Sequence, residues 1–153
     1  MIENHLERPD VRKKLEGLKD FQIDTVEYVF RRLYTDPDFS SKFLIADEVG
    51  LGKTLVARGL IAKAVDYLWD TVDRIDVVYI CSNLNIAKQN IDRLNITSNR
   101  EFQHAARATL LPVSIEQLKD NKLNFISLTP NTSLDLRSST GVKRERALLF
   151  NIL

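Results

Sequence analysis

The stretch Asp47-Glu48-Val49-Gly50-Leu51-Gly52-Lys53-Thr54 decides how this chain is read. Gly50 and Gly52 can adopt backbone conformations closed to other residues and bring the main chain close to a ligand. Successive N–H groups then converge on one point, and a helix starting near Lys53 adds the positive end of its dipole. Lys53 supplies a mobile charge for the β- and γ-phosphates of a nucleotide, and the Thr54 hydroxyl is placed to ligate Mg2+. The candidate ATP-binding segment runs from Asp47 and Glu48 through Val49, Gly50, Leu51, Gly52, Lys53 and Thr54 to Leu55. With Gly at ~7% of average usage, a chance Gly-x-Gly-Lys-Thr arises in roughly one chain of this size in a few hundred.

The flanks supply the context such a loop requires. Phe43-Leu44-Ile45-Ala46 is a short apolar run that reads as a buried strand entering the loop. After the loop, Val56, Leu60 and Ala64 align on a helix, flanked by Ala57, Ile61, Val65 and Leu68, with Arg58, Lys63 and Asp66 facing water. Upstream, Ile23, Val26, Phe30 and Leu33 mark a helix face opposite Asp24, Glu27, Arg31 and Arg32, ended by Thr35-Asp36-Pro37-Asp38. Asp76–Cys81 reads as a second strand, Ala87, Ile91 and Leu94 as one face of a further helix, and Asn124–Thr129 as a third strand. The tail from Gly141 to Leu153 has a helical pattern through Ala147, Leu148, Leu149 and Ile152. Strands alternating with helices predict an α/β fold with a mostly parallel sheet. Residues 1–20 read as a charged extension without a persistent apolar stripe.

Bulk composition narrows the class. The 153 residues are 44% hydrophobic and 28% charged, the balance of a globular domain, not a disordered tail. Twenty-two basic residues against 21 acidic ones leave no global signature of a DNA-coating protein, although a local basic surface serves as well. The N-terminus has no apolar core of a signal peptide, and the longest uncharged run, Leu123–Leu134, is too short to span a bilayer. A single cysteine, Cys81, suits a reducing compartment, so a cytoplasmic location is expected. His5 and His104 lack ligand-spaced partners, and no metal is expected beyond nucleotide-bound Mg2+.

One departure from the general phosphate-loop pattern is informative. That pattern has Gly five positions before Gly52, where this chain has Asp47, followed by Glu48. Their carboxylates would repel a triphosphate and are expected to point away. In this form the segment Asp47–Thr54 resembles motif I of the Swi/Snf-like branch of superfamily 2 helicases and translocases. Lys19-Asp20-Phe21-Gln22-Ile23-Asp24-Thr25-Val26 is similar to the Q-motif region of those proteins. There an aromatic–Gln pair precedes a helix, and the resemblance implies that Gln22 reads an adenine edge, with Phe21 packing nearby.

Two weaker similarities concern nucleic acid. Val77–Leu84, with Gln89 after it, looks like motif Ia, although this chain has Ser82 and Asn83 where the family commonly has Pro, and Asn90 where it has an aromatic. The implied contact is of Ser82 and Asn83 with a nucleic-acid backbone; the plain alternative is a polar turn capping the next helix. Ser127–Ser133 resembles the later strand-end loop, which would bring Thr129 and Asn131 to phosphates, or is simply a strand exit. The cluster Lys143-Arg144-Glu145-Arg146 reads as a solvated helix face.

Taken with the resemblance, the expected architecture is a RecA-like P-loop NTPase sheet flanked by helices, an incomplete domain over residues 21–153. Asp47-Glu48 is the sole Asp-Glu pair, so the carboxylate box that holds Mg2+ and orients water in such ATPases is not found downstream. The chain also stops within an apolar helical pattern, as a truncated domain would. The resemblance implies a segment of an ATP-dependent DNA helicase or translocase whose parent hydrolyses ATP. Alternatives are the motor subunit of a restriction or phage-defence system, and a non-hydrolysing nucleotide- or DNA-binding module.

Overall fold

The Asp10 carboxylate accepts the Lys13 N–H at 3.2 Å and caps helix α1, Val11–Leu15. The computed structural model describes residues 8–97, 103–105 and 121–129, together with Ala147 and Phe150. These belong to two compact units, one of Met1–Ile75 with Asp92–Arg100 and the other of Asp76–Ile91 with Glu101–Leu153. The tail helix and the basic cluster at 143–146 lie largely outside the described residues, as does Asn131.

The first unit is built on two helices. Helix α2, Asp20–Phe30, buries Gln22, Val26 and Val29, while helix α3, Lys53–Leu68, buries Val56, Gly59, Ala62 and Val65. Both buried lines step by three or four residues, so each helix presents one stripe to the other. They sit a fraction of a turn from the stripes expected through Ile23, Phe30 and Leu33, and through Leu60 and Ala64. The small residues Gly59 and Ala62 explain the shift on α3, because close helix approach selects the narrow face over the bulkier one. A Cβ at Gly59 would lie 2.9 Å from Leu15 Cδ2 and 3.1 Å from Val26 Cγ2. Residues of the charged N-terminal stretch therefore pack directly on α3 through Leu15, and Arg8 pairs with Asp66 at 2.6 Å and Asp70 at 2.8 Å. After α2 the chain widens into one π-type turn, Arg31–Thr35, closed by Asp36 N–H donating to Arg31 O at 2.9 Å. Phe30 stacks on Tyr34, and Tyr67 meets both rings edge-on or tilted, with centroids 5.2–5.8 Å apart; burial raises the Tyr34 pKa.

The strand expected at Phe43–Ala46 is not formed. Residues 42–48 have no regular structure, and Leu44 is 83% exposed. A strand exists through ladder hydrogen bonds to a neighbour, and this run has none among the described residues. Its apolar character instead meets α2, where the Phe43 ring packs edge-on against Tyr28 at 5.8 Å. A four-residue apolar run does not by itself distinguish these outcomes.

The second unit holds the sheet, in the order β1-β3-β2, with β1 at Ile75–Ile80, β2 at Gln103–Ala105 and β3 at Leu123–Leu128. β2 and β3 run parallel, with Gln103 opposite Ile126 and Ala105 opposite Leu128. Residues 123–127 are all buried, as a central strand covered on both faces requires, while β1 alternates. Asn124 Nδ2 donates to Asp76 Oδ1 at 2.9 Å, and Cys81 N–H donates to Leu128 O at 3.2 Å, joining β3 to β1 and its exit. Helix α4, Leu84–Leu94, begins after β1, and Ala87, Ile91 and Leu94 form its buried face as expected. The chain is thus α/β with a parallel strand pair.

Because α1 and α2 both meet α3 at Gly59, a branched side chain there forces the contact apart. Gly59→Val is expected to destabilise the protein by about 1–3 kcal/mol through overpacking, read as a lower urea midpoint at unchanged slope.

Candidate phosphate-binding site

The loop expected to cradle phosphate has the backbone that its glycines predict. Gly50 lies at φ 93° and Gly52 at φ 82°, both left-handed, and Gly52 is the N-cap of α3. Without a side chain at the cap, the N–H groups of Gly52, Lys53 and Thr54 have no acceptor among the described residues. A helix start leaves these donors orphaned by construction, and the 16 residues of α3 align enough peptides to make its start electropositive.

Lys53 folds back over its own loop. Its ammonium donates to the carbonyls of Asp47 at 2.7 Å and Glu48 at 2.8 Å, six and five residues earlier. The Asp47 and Glu48 side chains are exposed, with no ion pair among the described residues, so the lysine engages their backbone and not their charge. Val49 stands almost fully in solvent, and Leu51 and Leu55 are exposed at about two-fifths each. Thr54 is half-buried on the first turn, its hydroxyl without a partner among the described residues.

Gln22 couples this loop to α2. Its amide nitrogen donates to Leu51 O at 2.9 Å, and its amide oxygen accepts the Lys19 N–H at 2.9 Å. In a trans peptide the carbonyl and the following N–H point in opposite directions. Holding the Leu51 carbonyl therefore turns the Gly52 N–H away from Gln22, toward the open side of the loop. The approach is close: a Cβ on Gly52 would sit 2.4 Å from Gln22 Nε2. Gln22 is only 5% exposed, leaving one N–H and one lone pair of its amide uncommitted. Phe21, beside it, is 44% exposed.

A groove of about 580 Å³ opens on this loop, lined by Val49, Gly50, Lys53, Thr54, Arg58 and Arg93 among others. Arg58 and Arg93 did not figure among the expected site residues, and Arg58 was expected to face water. Its Nε is instead buried without a hydrogen-bond partner. The spacing held the signal, since Arg58 follows Thr54 by one helical turn and must share its face. The arrival of Arg93 from α4 had no local signal.

The expected nucleic-acid residues divide. Asn83 Oδ1 accepts the N–H groups of Asn85 at 2.9 Å and Ile86 at 3.2 Å, so it caps α4, while Ser82 is exposed beside it. Asn90, where the similar family has an aromatic, donates to the Tyr79 hydroxyl at 2.8 Å. Thr129 does not sit on an accessible surface as expected. It is 2% exposed and already bonded, because β3 is covered to its end. No group of three or more His, Cys, Asp or Glu able to hold a metal occurs among the described residues, and no described helix is long and apolar enough to cross a membrane. No protein family, curated protein or solved structure matches this chain.

Gly52 is fixed by both its left-handed backbone and the closeness of Gln22. Gly52→Ala is expected to cost about 1–2 kcal/mol from backbone strain, with a further loss from displacing the amide. Combining it with Gln22→Ala should remove only that further loss, a coupling that a double-mutant cycle of denaturant midpoints measures.

Proposed function

We propose that this chain binds ATP with Mg2+ through the loop Asp47–Leu55 and is the nucleotide-binding part of a superfamily 2, Swi/Snf-like DNA helicase or translocase with a RecA-like fold. The observation that carries the proposal is the pair of left-handed glycines opening directly onto the start of α3, with Lys53 reaching across the same loop. The donor set suits a polyphosphate: three orphaned N–H groups, a mobile ammonium and a helix start, all on one groove. Gly52 fits this role, since any side chain there would displace the Gln22 amide that holds the loop.

Each residue then has a physical task. Lys53 exchanges the Asp47 and Glu48 carbonyls for phosphate oxygens and neutralises their charge. Gln22 fixes the direction of the Gly52 N–H. Thr54 would hold Mg2+ through its hydroxyl, with the remaining ligands coming from phosphate and water. When bound, that ion shields charge on the phosphates. Binding and positioning are the roles proposed for these residues; hydrolysis is assigned to the parent enzyme, because no second Asp-Glu pair is present to supply the carboxylate box. The same observation favours, as a second reading, a nucleotide-binding module that does not hydrolyse. DNA as partner rests on the likeness of Asp47–Thr54 to double-strand translocases, with the exposed Ser82 as the accessible candidate contact.

Lys53→Ala is expected to lower the affinity for MgATP at least a hundredfold in calorimetric titration, at unchanged melting temperature; wild-type affinity in that variant refutes the assignment. Gln22→Ala is expected to weaken ATP and GTP by similar factors, about tenfold, because the amide acts on the loop backbone. A loss confined to ATP would assign Gln22 to the base instead.

A further inference from the structure

Arg58 is an oddity of the first unit. Its Nε is buried with no hydrogen-bond partner, and neither Arg58 nor Arg93 has an ion pair or hydrogen bond among the described residues. Most buried donors find an acceptor, because leaving one unmade forfeits its hydration without return. A guanidinium so placed, with a second lining the same groove, suits an anion.

The surroundings give the anion its place. Arg58 and Arg93 line the same groove as Lys53 and Thr54. Thr54 and Arg58 are one turn apart on one face of α3, a rise of about 6 Å. Lys14 adds to the positive field: its pKa is lowered, first by burial and then by repulsion from Arg58 and Lys13, with Asp10 opposing. No carboxylate lines the groove to satisfy the arginines from within.

We propose that Arg58 and Arg93 form a second oxyanion position that grips a further phosphate of a nucleoside di- or triphosphate, one linked to the phosphate held by Lys53 and the α3 start. This rests on the nucleotide-binding reading of the loop. A guanidinium carries paired, coplanar N–H donors, the geometry that matches two oxygens of one phosphate. Arg93, exposed at the rim, closes on the same group from α4. The site thereby prefers a polyphosphate over a monophosphate, a selectivity that the loop alone does not provide.

The test is titration of the full chain with MgATP, MgADP and inorganic phosphate, using wild type, Arg58→Gln, Arg58→Lys, Arg93→Gln and Lys53→Ala. Arg58→Gln and Arg93→Gln should each weaken ATP and ADP about tenfold while leaving inorganic phosphate within twofold of wild type. Arg58→Lys, which keeps charge but loses the paired donors, should recover less than half of the logarithmic loss. Arg93 is exposed, so its variant gives a readout even where Arg58 substitutions impair folding. If wild type binds ATP and Lys53→Ala abolishes it, yet both Gln variants bind as wild type does, the second position is overturned and the loop assignment stands. Loss of double-stranded DNA binding by the Gln variants, with ATP affinity unchanged, overturns it in favour of a nucleic-acid phosphate. Failure of wild type to bind any nucleotide removes both readings together.

Discussion

The amide of Gln22 is the contact on which the glycine loop at 50–52 depends. With one end it closes the start of α2 at the Lys19 N–H, and with the other it holds the Leu51 carbonyl. Two segments 29 residues apart are thereby joined by a single planar group. Each hydrogen bond alone is worth about 1 kcal/mol, and the amide that makes both is shielded from water. Shielding makes their loss costly, and so makes the direction of the Leu51–Gly52 peptide a property of the packed helices. The loop is shaped from behind by α2 before any ligand meets it from the front.

Packing of α2 on α3 gives that arrangement its base. Val26 and Val29 are essentially fully buried against a line of α3 that begins at Val56 and includes Gly59, one residue beyond Arg58. Structural and functional demands on α3 thus fall on adjacent residues: those at 56, 59, 62 and 65 face the core, while those at 54 and 58 face the groove.

Much of this was legible in the sequence. Helices α2, α3 and α4 and strands β1 and β3 lie within a few residues of where periodicity put them, since each is long enough for a repeat to show. Gly50 and Gly52 announced positive φ through their spacing before Lys53. Short features were not legible. The three-residue β2 has no apolar pattern, and its identity depends on β3 lying beside it. Phe43–Ala46 carries strand-like residues without a ladder partner, so composition misled. The helix faces were displaced because hydrophobicity ranks Leu60 above Gly59, whereas close packing ranks them the other way. Gln22 could be flagged as a site residue, but not that its partner would be a carbonyl of the loop. Convergence of Arg58 with Arg93 is a fact of tertiary structure alone.

The grip of Lys53 on the carbonyls of Asp47 and Glu48 sets an entry threshold for the groove. An anion arriving there does not meet a bare charge; it must displace two short hydrogen bonds already made to well-oriented dipoles. Several oxygens carried on one tetrahedral centre can replace both acceptors at once and add charge. Under the nucleotide-binding reading, the loop would select ligands by the number of acceptors they present together, with no further residue required.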